Sequence, residues 1–177
     1  MLVALIVVLV LIAIVLILAA MRPDQFRIER SATIQAPAER IFPFIDDFHR
    51  WQAWSPYENK DPAMQRTFDG PSSGVGASYA WNGNKNIGSG RMEISQSTPS
   101  SRVFLTLEFF TPFKASNTAE FVLTPQGNAT HVSWAMQGRS PFMSKLMGVV
   151  FNFDKMVGKD FEEGLANLRK LAEPANA

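Results

Sequence analysis

The chain opens with an unbroken apolar run and then changes to alternating hydrophobic and polar positions. Leu2 to Ala20 contains only Leu, Val, Ile and Ala. As a helix this run would be about 28 Å long, at about 1.5 Å per residue. That length is close to the roughly 30 Å hydrocarbon core of a bilayer. We expect residues 1–21 to form a single-pass transmembrane anchor.

Two other interpretations of the run fit its sequence less well. A cleaved signal peptide needs a positive start, a shorter apolar stretch and a small-x-small cleavage site, but Leu18 stands where a small residue is required. A helix in the core of a soluble domain would show a polar face. Arg22, Arg27 and Arg30 follow the run, and no Lys or Arg precedes it. The positive-inside rule therefore places the following domain in the cytoplasm.

Beyond the anchor, the hydrophobic period predicts strands and helices in a definite order. One strand is followed by two short helices, about six strands, a short apolar helical segment and a long C-terminal helix. Asp46 or Asp47 can cap the second short helix, which Ser55-Pro56 would end. The predicted segments are 25–34, 38–45, 48–54, 64–68, 77–81, 88–97, 102–110, 116–124, 129–138, 142–151 and a helix from its cap at Asp154 to about 172.

The long C-terminal helix carries one apolar stripe at helical spacing. The stripe consists of Val157, Phe161, Leu165, Leu168 and Leu171. Gly158 and Gly164 each weaken this helix by about 1 kcal/mol relative to Ala, so we expect it to approach a sheet or a bound molecule closely. The order of elements predicts an α+β fold, in which a curved antiparallel sheet of about seven strands wraps around this helix.

The alternation also predicts which side chains face the helix. This inner set holds several Trp and Met residues, which favour a lined cavity over a tight core of Leu and Val. A filled core remains the alternative interpretation of the same pattern. The predicted ligand-binding set is Trp51, Trp54, Tyr79, Trp81, Met92, Ile94, Leu105, Leu107, Phe109, Val132, Trp134, Met136, Val157, Phe161 and Leu165.

Composition narrows the classes of function. The chain has 14 Phe and 4 Trp against 2 Tyr, and its net charge is only +1. Charges of both signs are spread along it without a basic block, which argues against nucleic-acid binding. The absence of Cys leaves the redox compartment open. The oligomeric state is equally open.

Three segments carry a resemblance to a known family. They are 34–42 (IQAPAERIF), 47–57 (DFHRWQAWSPY) and 153–168 (FDKMVGKDFEEGLANL). With the order of elements, they resemble the START/Bet v 1-like (SRPBCC) superfamily, in particular its bacterial polyketide cyclase/dehydrase-type members, over residues 25–173. The resemblance implies a helix-grip fold with an apolar ligand held between the sheet and the last helix. Some members are enzymes and others are carriers, so the fold alone does not assign a function.

Acid–base chemistry has three first candidates in this sequence: Glu108, Tyr79 and His49. Glu108 faces solvent if Leu105 and Leu107 face inward, whereas a slip of one residue would bury it as a candidate general acid. His49 and His131 are distant in sequence and fit solvated surface positions. With no Cys and two such His residues, no metal-ligand spacing exists, and we expect neither a metal nor another cofactor.

These observations lead to three hypotheses of different classes. The first is a membrane-tethered binding protein for a small hydrophobic or amphipathic molecule, such as a lipid, a quinone or an aromatic metabolite. The second is an enzyme of the polyketide cyclase/dehydratase type. The third is a domain with a filled core that contacts other proteins through its surface.

Overall fold

A seven-stranded antiparallel sheet curves around a long C-terminal helix. The computed structural model describes residues 1–174. The strand order is β1-β7-β6-β5-β4-β3-β2. A 3₁₀ helix, Phe48–Ala53, lies between α2 and α3. The remaining elements are α1 (Leu2–Ala20), β1 (Gln25–Ile34), α2 (Ala38–Asp46), α3 (Pro56–Lys60), β2 (Gln65–Asp69), β3 (Ser78–Asn82), β4 (Ser89–Thr98), β5 (Arg102–Thr111), β6 (Ala115–Gln126), β7 (Ala129–Arg139), α4 (Phe142–Val150) and α5 (Phe153–Ala172).

The first and last strands lie side by side, because β1 pairs with β7 along its whole length. Strands β2 to β7 follow one another as a meander, each pairing antiparallel with the next. Helix α5 packs across β1, so its apolar stripe closes the concave face of the sheet. The α+β helix-grip arrangement expected from the sequence is confirmed.

The two glycines of α5 permit the close approach that the sequence suggested. A Cβ atom on Gly158 would lie 2.1 Å from Nη2 of Arg30, and one on Gly164 would lie 2.7 Å from Cζ3 of Trp134. At the first site the guanidinium of Arg30 also binds the carboxylate of Asp154 at 3.0 Å. The missing side chains therefore let an arginine and an indole from the sheet lie directly against the helix backbone.

Two predicted helix ends differ from the structure. Asn152 caps α5, because its side chain accepts a hydrogen bond from the backbone N–H of Lys155. Asp154, the expected cap, is the second residue of the helix and pairs with Arg30. The 3₁₀ helix ends at Ala53, one residue before the predicted end, and Pro56 begins the separate helix α3, since proline costs little in a first helical turn. The predicted capping by Asp47 is confirmed, with the backbone N–H of His49 as donor.

Helix α1 extends away from the sheet with most of its side chains exposed. Ala19, near its end, is fully buried, and α1 packs there against α4. Within residues 1–174, α1 is the one helix long and apolar enough to cross a bilayer.

Candidate functional site: a cavity between the sheet and α5

A cavity of about 530 Å³ lies between the concave face of the sheet and the first half of α5. Helix α3 and the 3₁₀ helix border it on one side. Most of its wall is apolar. The residues that line it are Trp51, Ser55, Tyr57, Glu58, Lys60, Met64, Tyr79, Trp81, Asn86, Ile87, Met92, Leu105, Leu107, Phe109, Pro112, Asn117, Ala119, Trp134, Met136, Phe153, Met156, Val157, Asp160 and Phe161.

Side-chain size changes along the inner face of two strands of the sheet. On β4 the inner positions run from Gly90 to Ile94, and on β6 they pass from Ala119 to Phe121. The register of the sheet places Gly90 and Ala119 toward the end where β5 turns into β6. A Cβ atom on Gly90 would lie 2.5 Å from the indole of Trp81. The missing side chain of Gly90 therefore lets the indole of Trp81 lie directly against β4, where it forms part of the cavity wall.

An aromatic cluster forms the boundary between the hollow end and the filled end. Trp134 stacks on Phe161 of α5 with ring centres 4.0 Å apart and planes inclined by 11°. On its other side it stacks on Phe121 at 4.9 Å. Trp54 meets Trp134 edge-on at 5.5 Å. Such contacts add about 0.5–1.5 kcal/mol per pair beyond burial, so this wall of the cavity is held firmly in position.

The polar centre of the cavity is the carboxylate of Glu58, whose side chain is 5% exposed. Its Oε1 accepts a hydrogen bond from the hydroxyl of Tyr79 at 2.7 Å. Its Oε2 accepts one from Nε of Arg66, also at 2.7 Å. Burial, and then the hydrogen bond to Glu58, raises the pKa of the Tyr79 phenol. Tyr79 therefore stays protonated at neutral pH and serves as a hydrogen-bond donor.

Arg66 completes this cluster from β2. Its Nη1 donates to the carbonyl of Met64 at 2.8 Å, whereas its buried Nη2 has no hydrogen-bond partner among residues 1–174. The hydrogen bond to Glu58 raises the pKa of the guanidinium. A buried charge pair needs its remaining polar atoms satisfied to be stabilising, so the unpartnered Nη2 offsets part of the stabilisation that this ion pair provides.

A second ion pair lies on the cavity wall where lining side chains reach solvent. Nζ of Lys60 contacts Oδ2 of Asp160 at 2.6 Å and lies over the ring of Tyr57, 5.0 Å from its centre. Burial and the neighbouring Asp160 carboxylate raise the pKa of the Tyr57 phenol. Pro112 and Met156 are exposed members of the same wall. We call the region around Lys60, Pro112 and Met156 the mouth of the cavity.

Most of the residues expected from the alternation lie on the cavity wall. These are Trp51, Tyr79, Trp81, Met92, Leu105, Leu107, Phe109, Trp134, Met136, Val157 and Phe161. The other four, Trp54, Ile94, Val132 and Leu165, are packed in the filled end at 0–1% exposure and do not line the cavity. Alternation assigns Ile94 and Val132 to the inner face of the sheet but not to a depth along it. The helical stripe that predicted Leu165 and the short-helix position that predicted Trp54 likewise give no depth.

The three candidates for acid–base chemistry are not brought together. Tyr79 lines the cavity, but Glu108 is exposed on the outer face of β5, opposite Arg91. His49 pairs with Asp47, 2.9 Å from Nδ1 to Oδ1, and lies on the surface. Within residues 1–174, no group of acidic or histidine side chains has the geometry to hold a metal ion.

Sequence reasoning missed Glu58. Its position in a five-residue helix gives no periodic signal, and its partners Tyr79 and Arg66 come from separate strands. The only available sign was an acidic residue next to the aromatic segment that contains Trp51 and Trp54.

The sheet that curves around a C-terminal helix, with a cavity between them, defines a protein of the helix-grip class. A family model described as polyketide cyclase/dehydrase and lipid transport matches residues 25–173. The chain belongs to this family. No curated protein matches it at a significant level.

Solved structures show the same fold at low sequence identity. Protein CV1439 from Chromobacterium violaceum is 16% identical with a TM-score of 0.59, and the match covers 87% of this chain and all of that one. The Aha1 dimer from Colwellia psychrerythraea is 14% identical with a TM-score of 0.60, covering 86% and 99%. CalU16 from Micromonospora echinospora is 16% identical with a TM-score of 0.55, covering 85% and 86%. At these identities the likeness establishes the fold and not the ligand.

Proposed function

We propose that this protein is a membrane-tethered binding protein for one small hydrophobic or amphipathic molecule, such as a lipid, a quinone or an aromatic metabolite. The observation that carries the proposal is the largely apolar cavity of about 530 Å³ between the sheet and α5. Small-molecule sites are typically concave, apolar pockets of about 300–1,000 Å³ with few polar groups. The description of the family as including lipid transport agrees with this class of ligand.

Apolar burial would drive binding from water. A ligand that buries about 200 Å² of apolar surface gains about 5 kcal/mol at about 25 cal/mol per Å², before the cost of immobilising it. Met92 and Met136 can change rotamer to fit ligands of different shape. Trp134, held between two phenyl rings, presents the edge of a fixed indole ring to a ligand in the cavity.

Glu58 would orient the ligand. Each of its carboxylate oxygens accepts one hydrogen bond within the protein and can accept another. A ligand hydroxyl or other hydrogen-bond donor therefore has a place beside Glu58, whereas an anionic group would meet repulsion there unless Nη2 of Arg66 turned toward it. We expect a neutral, hydroxyl-bearing molecule to be preferred over a carboxylate.

The location of the protein at a membrane is part of the proposal. Helix α1 has the length and composition of a membrane span, and Arg22, Arg27 and Arg30 follow it. Under the positive-inside rule, these arginines keep the binding domain in the cytoplasm. A domain held at the surface of a bilayer has direct access to membrane-dissolved molecules.

A cyclase or dehydratase activity has less support from the geometry. Glu108 and His49 lie away from the cavity, and the raised pKa of Tyr79 makes its phenol a poor proton donor. The interaction-domain hypothesis assumed a filled core, whereas the interior next to α5 is hollow.

The proposal is tested by blocking the cavity. Leu107 on β5 lines the cavity, and Thr106 beside it is exposed on the outer face. We expect Leu107→Trp to abolish binding of a dansyl-labelled fatty alcohol or a short-chain quinone by the detergent-solubilised chain, and the matched control Thr106→Trp to leave it unchanged. Mass spectrometry of lipids extracted with the purified protein should show a ligand that is depleted in Leu107→Trp. Equal binding by both variants, at equal thermal stability, would refute the cavity as the binding site.

A further inference from the structure

Large apolar side chains are exposed around the mouth of the cavity. Phe113 is 64% exposed and Met143 is 60% exposed. The set comprises Phe110, Phe113, Phe142, Met143, Phe151 and Met156. Clustered exposed apolar groups mark contact surfaces, whereas single ones do not. We call this set the apolar rim.

The topology places the apolar rim at one end of the sheet. The β5–β6 turn, the end of β7 and the start of β1 meet there, because Asn117 pairs with Gly138 and Gln25 pairs with Arg139. Helix α4 follows β7 directly, and α1 leads into β1. The rim, the mouth of the cavity and the end of the membrane helix therefore share one end of the molecule.

The connection between the membrane helix and the domain is short and fixed. Residues 21–24 separate α1 from β1, and four residues span at most about 14 Å. The backbone N–H of Ser140 donates to the carbonyl of Asp24 at 2.7 Å, and the ammonium of Lys145 pairs with the Asp24 carboxylate. Ala19 is buried where α1 packs on α4. The rim end of the domain thus cannot move far from the bilayer that α1 enters.

We propose that the apolar rim docks into that bilayer, so that the mouth of the cavity opens onto lipid and the ligand passes between membrane and cavity without crossing water. The inference rests on the anchoring part of the proposed function. Apolar side chains of an interfacial segment insert about 5–10 Å into the boundary between headgroups and acyl chains. Arg22, Lys114 and Lys155 adjoin rim or anchor positions in the sequence and suit anionic lipid headgroups.

Two residues connect the rim with the interior. Met156 belongs to the rim and also lines the cavity, and Pro112, which precedes Phe113, is an exposed cavity residue. With the rim inserted, Met156 and Pro112 would give the path from the acyl region an apolar border, and the Lys60–Asp160 ion pair would be the charged group at the mouth. A lipid surface is therefore the partner whose chemistry fits both the rim and the passage behind it.

Depth measurements test the docking directly. The chain contains no Cys, so a single introduced thiol can carry an environment-sensitive fluorophore. The full chain is reconstituted into vesicles of phosphatidylcholine and phosphatidylglycerol as Phe113→Cys, Met143→Cys and, as a control, Asn128→Cys. Asn128 is exposed at the β6–β7 turn, at the opposite end of the sheet. We expect blue-shifted emission and quenching by bromine-labelled lipids at 113 and 143 but not at 128. Equal, water-like signals at all three positions overturn the docking.

A second experiment separates docking from binding. In Phe113→Ser/Met143→Ser, transfer of a dansyl-labelled fatty alcohol from vesicles to the protein should slow about tenfold, because two inserted side chains lose their apolar burial. Binding of the same probe in detergent should not change. Unchanged transfer in the double variant also overturns the docking. Failure of the wild-type chain to bind the probe in detergent would count against the proposed function, while the depth measurement would still decide the docking.

Discussion

The buried cluster of Glu58, Tyr79 and Arg66 allows a quantitative test of the site. Glu58→Gln keeps the size of the side chain but removes its charge, and Tyr79→Phe removes only the hydroxyl. Both partners contact the same carboxylate at 2.7 Å, so the two changes act on one network. Contacting residues show non-additive effects, which a double-mutant cycle measures.

The magnitudes follow from burial. Removing one member of a buried ion pair costs about 3–5 kcal/mol. Arg66 is 17% exposed and keeps an acceptor in the Met64 carbonyl, so we expect about 3 kcal/mol for Glu58→Gln. A hydrogen bond to a charged group contributes about 1.5–3 kcal/mol, which gives about 2 kcal/mol for Tyr79→Phe. The double variant should lose about 4 kcal/mol or less, because Tyr79 donates to the group that Glu58→Gln has already changed.

The assay is urea unfolding of the full chain in detergent micelles, followed by tryptophan emission. All four tryptophans lie beyond α1, so the signal reports the domain and not α1. At about 2–4 °C per kcal/mol for a domain of this size, Glu58→Gln should also lower Tm by about 6–12 °C. Glu108→Gln on the exposed outer face is the matched control, with an expected change within about 0.5 kcal/mol. A loss below about 1 kcal/mol for Glu58→Gln, or strict additivity in the cycle, would refute the assignment of Glu58 as the ionised centre of a coupled cluster.

Two further predictions concern α5. Gly164→Ala should destabilise the domain by about 1 kcal/mol, because its Cβ atom would lie 2.7 Å from the ring of Trp134, which is stacked in place. Overpacking costs about 1–3 kcal/mol, which exceeds the gain in helix propensity of about 1 kcal/mol. Glu163→Ala on the exposed face is the control, and an increase in Tm for Gly164→Ala would contradict the packing. Arg30 lowers the pKa of Asp154 by a hydrogen bond, so the stability from this contact is present above the ordinary carboxyl pKa of 3.8 and is lost as pH falls below it. Asp154→Asn should therefore flatten part of the fall in Tm between neutral pH and about pH 3, and curves that stay parallel to wild type would argue against it.

The fold could be predicted from the sequence because its patterns are strong and local. Antiparallel strands with one solvated face alternate strictly, which is why Leu105 and Leu107 were placed inward and Glu108 outward, as the structure has them. The apolar stripe and the two glycines of α5 likewise pointed to a helix in close contact with a sheet. These features depend on neighbours within a few residues, so they can be recognised from a single sequence.

The candidate site was predicted less completely, because its chemistry depends on distant pairings. Glu58 is buried only through residues 8 and 21 positions further along the chain. Asn152 displaced Asp154 as a cap because Arg30, on the first strand, engages that carboxylate. Such choices between local and tertiary partners leave no periodic signal in the sequence.

The location of the cavity changes what can determine its selectivity. If ligands entered the cavity from water, the burial of apolar surface would favour binding of many different hydrophobic molecules. If the apolar rim docks, however, the ligand leaves a bilayer that is about as apolar as the cavity wall, and burial contributes little to the difference between the two. Selection then depends on what the bilayer interior lacks: the Glu58 carboxylate as a fixed acceptor and the rigid aromatic wall formed by Trp134 between Phe121 and Phe161. On this argument Glu58→Gln should weaken capture of a hydroxyl-bearing ligand from vesicles, while purely hydrocarbon molecules stay in the membrane whether or not Glu58 is present.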